Sequence, residues 1–227
     1  IMANYRIHAR GNDAADIYLY DAIGEGWDGG ISSKQFAIDL KTLGKVQRLN
    51  VRINSPGGNL FEGVAIHNEL ARHPAHKTVS IDSMALSIAS VIAMAGDRIE
   101  MADNAMMMIH DPWMFAIGNA EELRKTADIM DQTKGNLVKT YAKRNSGSEK
   151  QIAQWMTEET WFTASQALDA GLIDSISQPL DISNAFDLSR FTRVPRSVKA
   201  KYETGRPSRD LHAVRLNRIC AFTKSCS

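Results

Sequence analysis

A Pro-Gly-Gly turn, one serine and one histidine mark three places where this chain could do acyl chemistry. Asn54-Ser55-Pro56-Gly57-Gly58 closes a stretch in which Leu49, Val51 and Ile53 alternate with polar residues. Paired glycines let bare N–H groups approach a ligand, as an oxyanion site or an extended peptide requires. Ser87 stands where a strand-like segment with Val79 and Ile81 turns into a helix carrying Ile88, Val91, Ile92 and Ala95. Free N–H groups and the dipole at a helix start favour the negative charge that an attacking serine generates. His110 ends the run Met106–Ile109 and precedes Asp111-Pro112, so it sits at a strand end beside a loop. An imidazole there can face a cleft as general base. Singly, each feature has a plainer reading: a tight turn, a helix N-cap, a solvated histidine. Their order along the chain is the informative part. Ser83 falls ahead of the turn and Ser90 inside the helix, and His8, His67, His73, His76 and His212 lack comparable settings.

The elements that must hold these residues follow from hydrophobic period. Strands are expected at Ile17–Leu19 (as the opening strand), Leu49–Ile53, Val79–Ile81, Ile99–Met101 and Met106–Ile109. Helices fall between them. One is capped by Ser33, carries Phe36, Leu40 and Leu43, and is closed by Gly44; a second covers Phe61 to Arg72. A third runs from Ile88 to a stop at Gly96. A long helix starts at Asn119, with Glu122 in capping-box position and Leu123, Ala127, Met130, Leu137 and Tyr141 on one face. Ser148 and Gln151 repeat the capping pattern, and a short helix after Thr163 ends at Gly171. Alternating strands and helices predict an α/β layered fold with largely parallel pairing.

Composition bounds the rest. The chain has 227 residues, 44% hydrophobic and 23% charged, enough for one well-buried core and outside the collagen-like, disordered and disulfide-scaffold classes. A net charge of +1 excludes nucleic-acid binding by bulk charge alone. That total hides an asymmetry: Ser183–Ser227 carries ten Lys/Arg against three Asp/Glu, leaving the rest of the chain acidic. The two cysteines, Cys220 and Cys226, both lie in that basic segment, so a reducing, cytoplasmic setting is expected. The start, Ile1-Met2-Ala3-Asn4, has neither region of a signal peptide, and no apolar run approaches the roughly 18 residues of a membrane span. Periodicity fades near Asn184, where Pro195, Pro207 and basic residues accumulate, predicting a domain over residues 1–182 and a flexible or partner-dependent extension over 183–227. Leu211, Val214, Leu216 and Ile219 could form a short helix in it.

Four blocks recur in order. Asn54-Ser55-Pro56-Gly57-Gly58, Ser87 among small residues, and Met108-Ile109-His110-Asp111-Pro112 resemble the signature blocks of the Clp protease proteolytic subunit. Trp161-Phe162-Thr163-Ala164 with Ala167-Leu168-Asp169-Ala170-Gly171-Leu172-Ile173-Asp174 resembles its fourth. The resemblance covers about residues 15–180 and looks closest to the divergent ClpP-like branch of phages and prophages, whose members serve as head-maturation proteases. It implies a ClpP/crotonase-like layered fold of repeated ββα units with a long protruding helix. It also implies a serine endopeptidase with Ser87 as nucleophile, His110 as general base, Gly57-Gly58 as oxyanion-side loop, and Gly58 and Ile88 as N–H donors. The family's acid precedes the fourth block, where Glu159 falls; the family typically has Asp, and Glu158 and Asp174 are rivals. Leu86 is a second departure, since the family prefers a small residue before the serine.

The resemblance further implies a homo-oligomeric ring, often stacked face to face through the Asn119–Arg144 helix, acting on protein or peptide substrates. Its partners would be an ATP-driven unfoldase or, in the head-maturation branch, capsid or scaffold proteins. No cofactor or metal is expected, because no phosphate-binding loop with Lys and no His-Glu-x-x-His occurs. Three other readings stay open at the level of sequence: a crotonase-type acyl-CoA enzyme, a serine–lysine peptidase, and a catalytically inactive ring or scaffold subunit. The basic extension is either a solvated tail or a site for an acidic partner, nucleic acid or scaffold.

Overall fold

The computed structural model describes residues 5–11, 13–24, 30–145, 148–179 and 188–202. Two compact units divide at Ile182/Ser183. In the first, eight strands among the described residues form one sheet: β1 (Tyr5–Arg10), β2 (Ala14–Leu19), β3 (Arg48–Ser55), β4 (His76–Leu86), β5 (Arg98–Ala102), β6 (Met106–Ile109), β7 (Thr160–Thr163) and β8 (Ser175–Ser177). The helices are α1 (Ser33–Thr42), α2 (Leu60–Arg72), α3 (Ile88–Ala93), α4 (Ala120–Ala142), α5 (Glu149–Thr157) and α6 (Ala164–Asp169). The sheet runs β1-β2-β3-β4-β5-β8, with β6 on β4 and β7 on β6. Only β1–β2 and β6–β7 pair antiparallel; the others are parallel, as the alternation of strands and helices predicts.

Register turns the period-2 patterns into one apolar face. Ile17, Val51, Val79 and Ile99 align across four strands, as do Leu19, Ile53, Ile81 and Met101, and all are essentially inaccessible to solvent. Phe36 and Leu40 of α1, Ile66 and Leu70 of α2, and Ile92 of α3 belong to the same core. Each such side chain contributes about 1.5–3 kcal/mol by leaving water. The alternate rows are polar, and Asn50 donates to Asp16 at 2.8 Å.

One irregularity shapes the site. Ile53 pairs with Ile81, but Ser55 pairs with Ala85, so β4 carries extra residues at Asp82–Met84. Such a bulge bends and re-aims a strand. Before it β4 pairs with β5, and after it with β6. Asp82, 1% exposed, is held there by two hydrogen bonds from Arg52 at 2.7 Å and one from the Tyr20 hydroxyl.

Three local readings of the sequence need correction. The opening strand is β1, with β2 behind it, and β7 and β8 extend the sheet further. The strand at Val79–Ile81 runs on to Leu86, directly against Ser87. The N-cap of α1 is Ser32 rather than Ser33, and its side chain makes no capping bond; Glu62 of α2 accepts from the Ser33 N–H at 2.6 Å instead. The long helix follows its sequence closely: Asn119 caps α4 in a reciprocal box with Glu122. Its apolar stripe is buried only toward the C-terminal end, at Leu137, Val138 and Tyr141, while Leu123 and Ile129 are exposed.

In the second unit, α7 (Arg196–Tyr202) follows Pro195, whose carbonyl accepts from the Val198 and Lys199 N–H groups. Cys220, Cys226 and the helix expected around Leu211–Ile219 lie outside the described residues.

Candidate active site

Ser87 sits between β4 and α3 and is the single accessible residue in an otherwise buried run from Ile81 to Gly96. Its backbone has φ 56° and ψ −128°, a region that L-residues rarely adopt, at a cost of about 1–3 kcal/mol. Its hydroxyl makes no capping bond to α3, so the plain N-cap reading is set aside. The hydroxyl lies instead 2.8 Å from Nε2 of His110.

Strand pairing delivers the histidine. Leu86 pairs with Met108, and the Ser87 N–H donates to the Met108 carbonyl at 2.9 Å. His110 follows two residues later, just beyond the end of β6. Asp111 anchors the exit: its N–H donates to the Met156 carbonyl at 3.0 Å, and its carboxylate accepts from Lys134 of α4 at 2.8 and 2.9 Å. Lys134 also donates to the Thr157 hydroxyl at 2.7 Å, tying α4, α5 and the histidine loop together.

Gly57 lies against the elbow from the other side. It has φ +79°, and a Cβ there would fall on the Leu86 carbonyl oxygen and 2.9 Å from Ser87 Cβ. Gly58 bridges Ile23: the Ile23 N–H donates to the Gly57 carbonyl, and the Asn59 N–H donates to the Ile23 carbonyl. In this parallel pattern the Gly58 N–H points away from Ile23. Ile88 opens α3, where a helix leaves its first N–H groups without intrahelical partners. Gly63 of α2 permits the close packing, since a Cβ there would strike the Ile88 side chain.

The three carboxylates weighed from the sequence occupy different settings. Asp174 pairs with Arg144 and accepts from the Ile99 N–H at 2.7 Å, which commits it to the β5–β8 end of the sheet. Glu158 is the C-cap of α5 and accepts from Gln154 at 2.9 Å. Glu159 lies between α5 and β7 with φ 49°, next to the strand that pairs with β6. The Trp161 indole N–H points to its Oε1 at 3.4 Å.

Comparison with known proteins decides the family. The Clp protease family model matches residues 3–179. The chain belongs to the Clp protease family. It is similar to the ATP-dependent Clp protease proteolytic subunit 1 of Protochlamydia amoebophila, 27% identical over 168 residues, covering 72% of this chain and 81% of that protein. It is also similar to the ATP-dependent Clp protease proteolytic subunit 3 of Rhodococcus jostii, 29% identical over 147 residues, covering 63% and 70%. The eight-stranded α/β architecture agrees with the ClpP-like fold expected from the sequence. No helix among the described residues is long and apolar enough to cross a membrane.

For this Clp protease family member, sequence reasoning did not find the supports of the elbow. Ser90, assigned only to a helix interior, donates its hydroxyl proton to the Ser87 carbonyl at 2.6 Å, and Tyr141 of α4 lies 2.8 Å from the same Oγ. No local signal could announce a partner 51 residues away. Lys134 was equally silent, one lysine among several on an exposed helix.

Proposed function

We propose that the chain is a serine endopeptidase in which Ser87 is the nucleophile, His110 the general base and Glu159 the acid. The observation that carries this reading is the 2.8 Å approach of Ser87 Oγ to His110 Nε2 at a backbone elbow of positive φ. Strain of this kind persists only where surrounding structure over-determines it.

The chemistry follows from the positions. His110 Nε2 takes the Ser87 proton as Oγ bonds to a substrate peptide carbonyl carbon, whose oxygen becomes an oxyanion. The Gly58 and Ile88 N–H groups are the proposed donors to it; losing one such donor commonly costs roughly 3 kcal/mol of barrier. His110 then returns the proton to the leaving amine as the C–N bond breaks. Water, deprotonated by His110, attacks the acyl-enzyme, releasing the carboxylic acid and restoring Ser87. Glu159 would hold the imidazole tautomer from the other ring nitrogen. An acyl-CoA enzyme of similar fold has no need for a serine and histidine in contact. A serine–lysine pair is disfavoured because Lys134, the lysine nearest this loop in the hydrogen-bond network, is engaged with Asp111 and Thr157.

The ring is part of the same proposal. Trp113, Phe115 and Ile117, between β6 and α4, are 56%, 72% and 83% exposed, and Leu123 and Ile129 of α4 are exposed as well. An uncovered patch of this kind marks an association site. Substrates would be polypeptides, capsid or scaffold proteins in the head-maturation role that the resemblance implies.

The test is fluorophosphonate labelling of the purified protein beside Ser87→Ala and His110→Ala. One modified serine is expected, absent in Ser87→Ala and strongly slowed in His110→Ala. Equal labelling of all three proteins overturns the triad.

A further inference from the structure

The nucleophile's strained backbone must be held by something, and its two peptide planes show what. On the N-terminal side the Ser87 N–H donates to the Met108 carbonyl at 2.9 Å. On the C-terminal side the Ser87 carbonyl accepts twice from Ser90, from its N–H at 3.0 Å and from its Oγ at 2.6 Å. A helix supplies the first of these bonds anyway; the second depends on the side chain. Ser90 is wholly buried, and its Oγ also lies 3.2 Å from the Met108 carbonyl and 2.8 Å from the Tyr141 hydroxyl. A serine hydroxyl has one proton and two lone pairs. With Tyr141 donating to Ser90, the Ser90 proton is left for the Ser87 carbonyl. Burial pushes the Tyr141 hydroxyl above its ordinary range, so it keeps the proton that this bond needs.

We infer that Ser90 and Tyr141 are positioning residues that clamp Ser87 in its positive-φ conformation and so keep its hydroxyl on His110. The inference rests on Ser87 being the nucleophile. The relay runs from α4 through two hydroxyls to the carbonyl of the reacting residue, and on its way passes the Met108 carbonyl that also receives the Ser87 N–H. Without it, ψ of Ser87 is held by one backbone bond alone, and the residue can relax toward an ordinary basin that swings Oγ off the imidazole. Neither hydroxyl reaches a substrate, so the effect falls on turnover and not on binding.

The experiment compares Ser90→Ala, Ser90→Thr and Tyr141→Phe with the parent, reading the fluorophosphonate labelling rate at Ser87, kcat and KM on a peptide, and the thermal midpoint. Ser90→Ala is expected to slow labelling and kcat about tenfold, the rate equivalent of roughly 1.4 kcal/mol, with KM unchanged. Tyr141→Phe is expected to slow them about threefold, and the double variant no more than Ser90→Ala, because both act through one oxygen. Ser90→Thr, which keeps the hydroxyl, restores most of the rate. If Ser90→Ala does not fold, the near-isosteric Tyr141→Phe carries the comparison. Parental labelling rates in the folded variants, with only the midpoint lowered, would show a purely structural hydroxyl pair and overturn the inference alone. An unlabelled parent overturns the nucleophile assignment and the inference with it.

Discussion

Carried one residue past the Ile109–Thr160 pair, the antiparallel register of β6 and β7 sets His110 opposite Glu159. The same ladder thus carries both the proposed base and the proposed acid, at a junction where Glu159 adopts φ 49°. A glutamate fits a role the family usually gives to aspartate if the turn, rather than side-chain length, sets its reach. Glu159→Gln is expected to lower kcat by about 10²- to 10⁴-fold with little change in KM. Glu158→Gln and Asp174→Asn should leave kcat within about threefold. Peptidase kinetics on the three variants distinguish the candidates, and a full-rate Glu159→Gln enzyme would remove Glu159 from the triad.

Gly57 has no room for a side chain. Its Cβ would meet the Leu86 carbonyl and Ser87 Cβ, and its φ of +79° strains any other residue. Gly57→Ala should therefore abolish detectable labelling of Ser87 and lower stability by about 1–3 kcal/mol, read from urea unfolding. Gly11, at φ +66° with open space around it, is the control: Gly11→Ala pays backbone strain alone and keeps full labelling.

Glu62 supplies a pH signature. Its carboxyl is held below the usual carboxylate range by hydrogen bonds from the Ser33 side chain and backbone at the start of α1. A depressed folded value means the unfolded chain takes up the proton first as pH falls. The contribution is complete above the ordinary carboxylate value of about 4.3 and disappears as pH drops through the folded one. Glu62→Gln should be less stable than the parent at neutral pH by at most about 0.5 kcal/mol, since solvent screens the largely exposed carboxylate, the gap closing on acidification. A constant gap down to about pH 3 would show that the charge plays no part.

The exposed apolar loop predicts assembly. Replacing Phe115 and Ile117 together by serine should lower the native mass toward that of a single chain, because both side chains lie open to solvent in the isolated subunit. Native mass spectrometry reads the change directly. An unchanged assembly would move the subunit contact elsewhere.

Much of this architecture was legible because its signals are local. Leu49, Val51 and Ile53 announce β3, and Asn119 with Glu122 announces the start of α4. What escaped was non-local or edge-like. In β1, Arg6, His8 and Arg10 alternate with Tyr5, Ile7 and Ala9, so the strand reads as polar, and it lies at the sheet's margin. β7 is four residues between two helices, too short for a period to show. The α1 cap was misplaced by one residue because its acceptor, Glu62, arrives from another helix. Ser87 and His110, which the structure brings together, are singled out in the sequence by the order of blocks around them. The positive φ of Ser87 had no signal, since neither Leu86 nor Ile88 hints at a sharp turn.

The division of β4 between two neighbours has a mechanical corollary. Because β4 leans on β5 below its bulge and on β6 above it, the proposed nucleophile and base are carried by adjacent rails whose alignment is fixed by three residue pairs, Met84–Met106, Ala85–Met107 and Leu86–Met108. A slip of one position between those rails would turn the imidazole to the opposite side of the sheet. Any force that pries β6 from β4 would therefore part Ser87 from His110 even with β3, β4 and β5 still paired.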